Sequence, residues 1–553
     1  MSPIDGPEAT HEVFNQSQPL QDYNLVDSDL CLRQTLAAFQ GEAADPRLVT
    51  HGQRCGSAEV IQWGYDANEQ RPRLESHDRF GHRLDQVFFH PAYHQLMDLA
   101  LTSGVHSLPW QTPGSHRLRA ALNYLQNQVE AGHACPLTMT FAAVPTLKKT
   151  PAIAERWLPK LLCNQYQPDN IPFYQKHAIT LGMGMTEKQG GSDVRANTTR
   201  ATPLGSAGPG ELYSLTGHKW FLSAPMCDAF LMLAQAAGGL SCFLVPRWRE
   251  DGVKNALLLQ RLKNKMGNVA NASSEVELRG AHGWLVGEEG RGVPAILEMV
   301  SLTRFDCMIG SSSGQRQAVA QAVFHARQRR AFGKALIDQP LMRNVLADLQ
   351  LEVEGSLAMT LRMAAALDQP DDPHEQNLLR LGTAVGKYWI CKRTPGHAYE
   401  AMECLGGNGV IENCIMPRLY REAPINAIWE GSGNIQALDI LRVMQKSPEA
   451  IQAWHAEIDH CRGYHPGLDQ MVDSLTALLA QPQTLEFQAR TLANTLALCF
   501  QGAMLLRHGD PVVAKAFCDS RLSASAPLYG SLPASIDVGS ILQRVLPTDI
   551  DCG

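Results

Sequence analysis

The apolar residues of this 553-residue chain change period twice, and those changes restrict the fold more than any single motif does. From Ser28 they recur three and four apart, in 30–39, 93–101 and 118–129, with Pro and Gly breaks between, which predicts an all-helical first domain. The middle then alternates. Residues 211–223 do so around Thr216 and Gly217, 230–235 and 240–245 flank the Gly238-Gly239 turn, and 274–278 adds another β-branched run. Short strands joined by hairpin turns, with no helix between them, predict an antiparallel barrel or sandwich and exclude a dinucleotide-binding βαβ unit. From Val293 the helical period returns in 295–308, 313–330, 340–366 and 378–405, with linkers at 332–338 and 369–374, as a four-helix bundle requires. The helical pattern continues past Leu441. The expected architecture is therefore α+β and multidomain: helical 1–180, β 181–290, a helical bundle 291–440 and a further helical segment 441–553. Residues 1–28, polar and carrying Pro3, Pro7 and Pro19, read as an arm laid over another part of the chain.

Composition narrows the class. With 44% hydrophobic and 19% charged residues the chain can bury a large core. It contains no run of about 18 apolar residues, and MSPIDGPEATHEVF lacks a basic then apolar leader, so a cytoplasmic protein without a membrane span is expected. Fourteen scattered cysteines without a CxxC pair read as reduced thiols. The net charge of −7 gives no whole-chain support to nucleic-acid binding, so such binding would need a local basic patch. His90 and His94 stand four apart, but Pro91 lies between them and no third ligand is evident, so no metal is expected. GSSSG at 310–314 imitates a nucleophile elbow inside a helical pattern, where small residues for close packing explain it better. Gly287, Gly290 and Gly292 read as a turn from the last strand into a helix.

One stretch concentrates ligand-binding features: 182–200, GMGMTEKQGGSDVRANTTR. Gly190 and Gly191 would let backbone N–H groups approach a planar or anionic ligand, with Thr186, Glu187, Ser192 and Asp193 at the same rim. Taken alone, it is a ligand loop or a solvated turn. The string MTEKQGGSD resembles the flavin-binding loop of the acyl-CoA dehydrogenase family, and GHKWFLS at 217–223 resembles the strand that lies along the isoalloxazine. The resemblance runs through EVFNQ (12–16), FHPAYHQLM (89–97) and VEAGHACPLTMTFAA (129–143) to the C-terminal helices. Within the family it is strongest to the branch of the adaptive response to DNA alkylation, which also carries the extra C-terminal segment.

The resemblance implies FAD and the removal of a proton and a hydride from adjacent carbons of a thioester. Met185, Thr186, Gly191 and Ser192 would then contact the pyrimidine end and pyrophosphate. Phe221, Leu222 and Ser223 would lie by the ring, Phe and Ser standing where the family commonly has Trp and Thr. Arg329 and Phe332, in RRAFG, match residues that reach the adenosine half of a neighbouring subunit's flavin, which implies a homotetramer. Gly406 and Gly407 match a pyrophosphate turn, with Glu403 in place of a common Gln and so expected to turn aside. Glu430, in IWEGSGNIQ (428–436), matches the family's base, with Ile428, Trp429, Gly431, Ser432 and Asn434 as neighbouring cofactor contacts. Thr303, beside Arg304 where some relatives place the base, cannot serve. Glu430 thus acts either as the base, with a pKa raised by burial, or only as an organiser of its loop. Two functions follow: a flavoprotein protecting DNA from alkylation, acting on alkylating agents or binding double-stranded DNA, or a dehydrogenase of a small acyl thioester without a DNA role. For DNA the candidates are Arg442, Lys446 and Arg521, although from Leu441 onward 8 Lys and Arg face 11 Asp and Glu, a net of −3.

Overall fold

The computed structural model describes residues 10–523 and 528–547; Pro3 and Pro7 of the arm and residues 548–553 of the last segment lie outside them. The arm is laid over the chain as expected. Asn15 Nδ2 donates to the Arg330 carbonyl (2.9 Å), Ser17 Oγ pairs with His325 Nδ1 (2.8 Å) and the Gln18 amide donates to Gln328 Oε1 (2.8 Å). Beyond these polar contacts Leu20, Tyr23, Leu25 and Val26 are buried.

The first domain departs from the all-helical expectation by one antiparallel hairpin, β1 (Arg73–His77) and β2 (Arg83–Phe88). Its sequences, RLESH and RLDQVF, are half-exposed and carry too few apolar residues to show a period of two. The rest is helical, and two helices matter most for the site: α1 (His116–Val129) and α2 (Ala134–Lys148), both buried on nearly every face.

The middle domain is a seven-stranded sheet built from β3 (Leu181–Gly184), β4 (Arg200–Pro203), β5 (Leu212–Leu222), β6 (Ala229–Ala236), β7 (Gly239–Pro246), β8 (Leu257–Leu262) and β9 (Ser274–Val286). Strands β6, β4, β5, β9 and β7 pair in sequence, and β7 pairs back to β6, so the sheet closes on itself. Most pairings are antiparallel; β3 and β4 run parallel to β6, a long-range pairing that no local period reveals. Strand β6 shows why closure works. Phe230, Met232 and Ala234 face the barrel interior, while Ala229, Leu231 and Leu233 face residues of α2 and the next long helix, so both faces are apolar.

That helix is α3 (Gly292–Gln328), continuous over 37 residues where the sequence pattern suggested two helices. GSSSG does not interrupt it: Ser312 Oγ meets Thr360 Oγ1 and Ser313 Oγ donates to the Tyr124 carbonyl, so the small residues give close packing. Helices α4 (Pro340–Leu367) and α5 (Pro373–Glu403) complete the bundle's centre, and α6 (Gly433–Lys446) leads into the C-terminal helices. One hydrophobic core runs without interruption from Leu20 through α1, α3, α4 and α5 to Leu546.

Arginines lock the C-terminal segment onto carboxylates of α4. Arg544 Nε reaches Glu354 Oε1 (2.7 Å), Arg521 pairs with Asp348, and Arg393 of α5 reaches Glu352 Oε2 (2.7 Å). Arg521 is thereby corrected as a DNA candidate: its guanidinium is turned into the fold and only 11% exposed. Glu375 and Glu457, next to His374, likewise share Arg362 between them. Burial opposes ionisation of Glu352, but Arg393 and Arg521 prevail and hold its carboxyl at about 2. A folded pKa below the unfolded value of about 4.3 gives stability present above the unfolded pKa and lost as pH falls through the folded one. Near-ultraviolet circular dichroism should therefore show the C-terminal docking weaken between about pH 4 and pH 2. Glu354→Ala leaves the buried Arg544, among the described residues, with Asp510 (3.4 Å) and Gln34 (2.7 Å), and should cost about 1–3 kcal/mol in denaturant unfolding at neutral pH.

Candidate functional site

The glycine-rich loop after β3 is organised from within by Glu187. Its carboxylate accepts from the Thr198 amide (2.7 Å), from the Thr199 amide and hydroxyl (3.1 and 2.6 Å) and from Lys219 Nζ (2.9 Å). Burial works against the charge, yet these donors hold the carboxyl well below its ordinary range. Residues 188–193 of the loop are exposed. A Cβ on Gly191 would lie 2.4 Å from Thr186 Oγ1, so only glycine allows Thr186 beneath the turn. Gly190 has φ 135° and open space at its side-chain position, and Ser192 is exposed. Asn197 Nδ2 donates to the Met185 carbonyl (2.9 Å), fixing the strand exit.

The end of β5 lies against this loop. The Trp220 amide donates to the Thr186 carbonyl (2.8 Å), and Ser223 exchanges two bonds with Met183: its amide donates to the Met183 carbonyl (3.1 Å) and its Oγ accepts from the Met183 amide (2.9 Å). Phe221 is 46% exposed beside the loop, with Lys263 Nζ 4.5 Å from its ring centroid. Leu222 points into the barrel core, so it offers a neighbouring ligand only its peptide group.

Cys135, near Ser223, lines the same cavity as Glu430, which belongs to the second half of the site. Glu430 has φ 56°, a left-handed conformation uncommon for a non-glycine residue. Its loop is tied by donors from three directions. Lys387 Nζ donates to the carbonyls of Trp429 (2.8 Å) and Gly431, Arg304 Nε to the carbonyl of Glu430 (3.0 Å), and Gln436 Nε2 to those of Glu430 (3.0 Å) and Gly431 (3.1 Å). Gly431, at φ 99°, has Gln436 Nε2 only 2.6 Å from its Cβ position, so no larger residue fits. Thr303 Oγ1 donates to Glu430 Oε2 (2.8 Å). Burial raises the Glu430 pKa, while the Thr303 hydroxyl, Arg304 and Lys387 pull it back. Glu430, Thr303 and Trp429 border a cavity of about 80 Å³ between α1, α2, α3 and residues 415–430. Ile428 is exposed, Ser432 begins α6, and Asn434 Oδ1 accepts from Arg490 Nε (2.8 Å).

Arg329, Phe332, Gly406 and Gly407 form a separate group gathered by the arm. Arg329 donates to the Asn15 carbonyl, and Asn408 Nδ2 to Gln16 Oε1 (3.3 Å). Gly406 and Gly407 have nothing within 4 Å of a Cβ position, Glu403 is exposed, and Phe332 stands 99% exposed at φ 52° on the tip of a two-residue hairpin. His90 caps the helix Pro91–Thr102 by accepting from the Ala92 amide, and His94 Nδ1 meets the Tyr166 hydroxyl (2.7 Å).

Bare backbone at Gly190, Gly406 and Gly407, the exposed Ser192 and the half-exposed Phe221 ring beside the Lys263 ammonium fit a cofactor with a flat apolar ring and an anionic, hydrogen-bonding tail. Several residues that build the site went unassigned in the sequence: Lys219, Lys387, Gln436, and Thr303 as a hydrogen-bond donor. Lys219, Lys387 and Thr303 act across more than 30 positions; Gln436 acts on backbone carbonyls five and six residues away, and its place in IWEGSGNIQ was legible.

Residues 15–168 match the adaptive response protein AidB N-terminal domain, 182–281 the acyl-CoA dehydrogenase middle domain and 290–445 the acyl-CoA dehydrogenase C-terminal domain. The Escherichia coli (strain K12) protein AidB is 46% identical over 93% of this chain and 94% of its own length. Caenorhabditis elegans ACDH-11, solved in complex with C11-CoA, superposes with a TM-score of 0.84 at 27% identity, covering 94% of this chain and 95% of that one. A Bacillus anthracis acyl-CoA dehydrogenase complexed with FAD shares the fold, with a TM-score of 0.61 at 17% identity over 82% of this chain and 79% of that one. The chain belongs to the acyl-CoA dehydrogenase family and, within it, is AidB-like.

Proposed function

We propose that this protein is an FAD-dependent dehydrogenase of a short acyl thioester, with Glu430 as the base. The observation that carries the reading is the Glu430 carboxyl itself, raised in pKa and held at the edge of a cavity that Cys135, near Ser223, also lines. FAD, when bound, supplies the acceptor for a hydride from the β-carbon. Thr186, Ser192 and the Gly190-Gly191 backbone would hold its polar tail, and Phe221 with Ser223 its ring. Glu430 takes the proton from the α-carbon, and the C–H electron pair forms the new double bond. Lys387, Arg304 and Gln436 keep the carboxyl aimed by fixing the backbone on either side of it, so little reorganisation accompanies the transfer. The exposed Phe332 ring and the Gly406-Gly407 turn supply a surface for a second copy, in keeping with a homo-oligomer that shares its cofactor sites.

Glu430→Gln keeps the shape and removes the basicity. In stopped-flow mixing with any thioester that reduces the wild-type flavin, reduction should slow by about 10²–10⁴-fold while FAD stays bound. Unchanged kinetics would leave Glu430 as an organiser of its loop. The Thr303 hydroxyl lowers the Glu430 pKa, so Thr303→Val should raise it further and move the acid limb of the rate profile to higher pH. Phe332→Ala with Arg329→Ala should loosen both FAD and subunit association in sedimentation runs.

A second reading, protection of DNA through duplex binding, draws on the similarity to AidB and on Arg442 and Lys446, exposed one turn apart on α6. Arg442, 61% exposed, is paired among the described residues with Asp439 (3.0 Å). If these residues contact phosphates, replacing both by Ala in the full chain should cut the salt slope of duplex binding by about 0.9 per lost contact and per copy engaged. An unchanged slope removes them from the reading.

A further inference from the structure

The cavity beside Glu430 is lined mostly by apolar groups, but one part of its wall presents paired amides. Gly310 of α3 faces it, and a Cβ there would meet Asn426 Nδ2 at 3.0 Å and Asn127 Oδ1 at 3.4 Å. Both amides are oriented by their other ends. Asn127 Nδ2 donates to the carbonyl and Oδ1 of Asn123 (2.9 Å each), leaving its Oδ1 towards Gly310. Asn426 Oδ1 accepts from Trp429 Nε1 (2.8 Å), and its Nδ2 makes one long bond to Ser311 Oγ (3.3 Å), leaving a second N–H. A donor and an acceptor therefore converge on the space that the glycine leaves open. Trp429 adjoins Glu430, so the oriented Asn426 amide and the carboxyl belong to one rigid turn. Asp306, also on the cavity wall, is already satisfied by Arg119 and the Thr138 hydroxyl (2.7 Å), and of the other bordering side chains Asn268 keeps an unpartnered Oδ1, so the amides at Gly310 are part of the wall's uncommitted polarity.

An alkyl terminus placed there would desolvate both amides without replacing their hydrogen bonds, at a cost of about 1–3 kcal/mol per group. We infer that this cavity selects an acyl thioester whose chain ends in a hydrogen-bonding group, a hydroxyl or a carboxamide, bound between Asn127 Oδ1 and Asn426 Nδ2 over Gly310. The inference rests on the acyl-thioester reading above and names its substrate class. The cavity volume of about 80 Å³ suits a short chain. Recognition of this kind separates isosteres well, because a site built to bond a hydroxyl leaves its own groups unpaired when the hydroxyl is missing.

The test pairs short alkanoyl-CoA thioesters with isosteres in which the terminal methyl is replaced by hydroxyl or carboxamide. Calorimetric binding to the FAD-loaded full chain is read beside flavin reduction. The polar isosteres should bind at least about tenfold tighter than the alkyl forms. Asn127→Leu should abolish that preference, and so should Gly310→Ala, which puts a methyl between the amides and keeps both. Equal binding by the wild type, a preference that survives in both variants, or no binding of any thioester would overturn the inference. A polar preference without flavin reduction would sink the dehydrogenase reading and leave the cavity assignment standing; reduction without preference would do the reverse.

Discussion

The buried pair of Arg119 and Asp306 is the contact on which the helical architecture around the site turns. Arg119, from α1, bonds both carboxylate oxygens of Asp306 on α3, and Thr138 of α2 donates to the same carboxylate. The guanidinium also stacks 3.7 Å from the Phe141 ring centroid. A buried ion pair is weak support for stability in itself, because desolvation offsets most of the attraction. Its geometry, however, permits one register of three helices. Asp306 lies three residues after Thr303 and four before Gly310, so the register that satisfies it also sets the Thr303 hydroxyl on Glu430 and opens the glycine gap between the two amides. Further along α3, Arg316 meets Asp29 (3.0 Å), pinning the helix to the first residues after the arm.

This dependence explains which parts of the fold could be read from the sequence. The switch from helical to alternating to helical period is a local property, and the order helices, β domain, helices follows from it. The β1–β2 hairpin could not be read, because RLESH and RLDQVF are stabilised by pairing and carry little apolar pattern. The parallel pairing of β3 and β4 with β6 depends on segments more than 30 residues apart. GSSSG at 310–314 read as small residues for close packing inside a helical pattern, and Tyr124 and Thr360 do close over its serines; that 295–308 and 313–330 form one helix rather than two did not show in the pattern.

At the site, the motif residues were legible as types and their supports were not. Glu430 could be picked from IWEGSGNIQ, but its left-handed backbone, the Lys387 and Arg304 clamps and the Thr303 hydroxyl come from α3 and α5. Thr303 is instructive: discarded as a base because it cannot take a proton, it bonds the carboxylate that can. Glu187 appeared as one polar residue among several at a loop rim, whereas its carboxylate holds that loop together from within.

The C-terminal helices show how charge counting misleads without geometry. Of the arginines after Leu441, Arg521 and Arg544 face α4, and Arg462 is paired with Asp469 and Asp473. Arg490 bonds Asn434, the residue that follows the first glycine of α6. Arg521 and Arg544 bind the segment to the bundle and Arg490 binds it to the helix that leaves the Glu430 loop, while Arg462 ties the segment to itself; the shared core from Leu20 to Leu546 makes the attachment apolar as well as ionic. Arg442 and Lys446 remain on the outer face of that same helix. Gln436, one turn into α6, holds the Glu430 carbonyl, and Asp439, one turn further, divides its carboxylate between Arg304 (2.6 Å) and Arg442 (3.0 Å). An anion that drew Arg442 away from Asp439 would leave that carboxylate to Arg304 alone, and Arg304 is one of the three clamps on Glu430. The surface of α6 and the carboxyl in the cavity are thus joined by two adjacent ion pairs on one rigid helix.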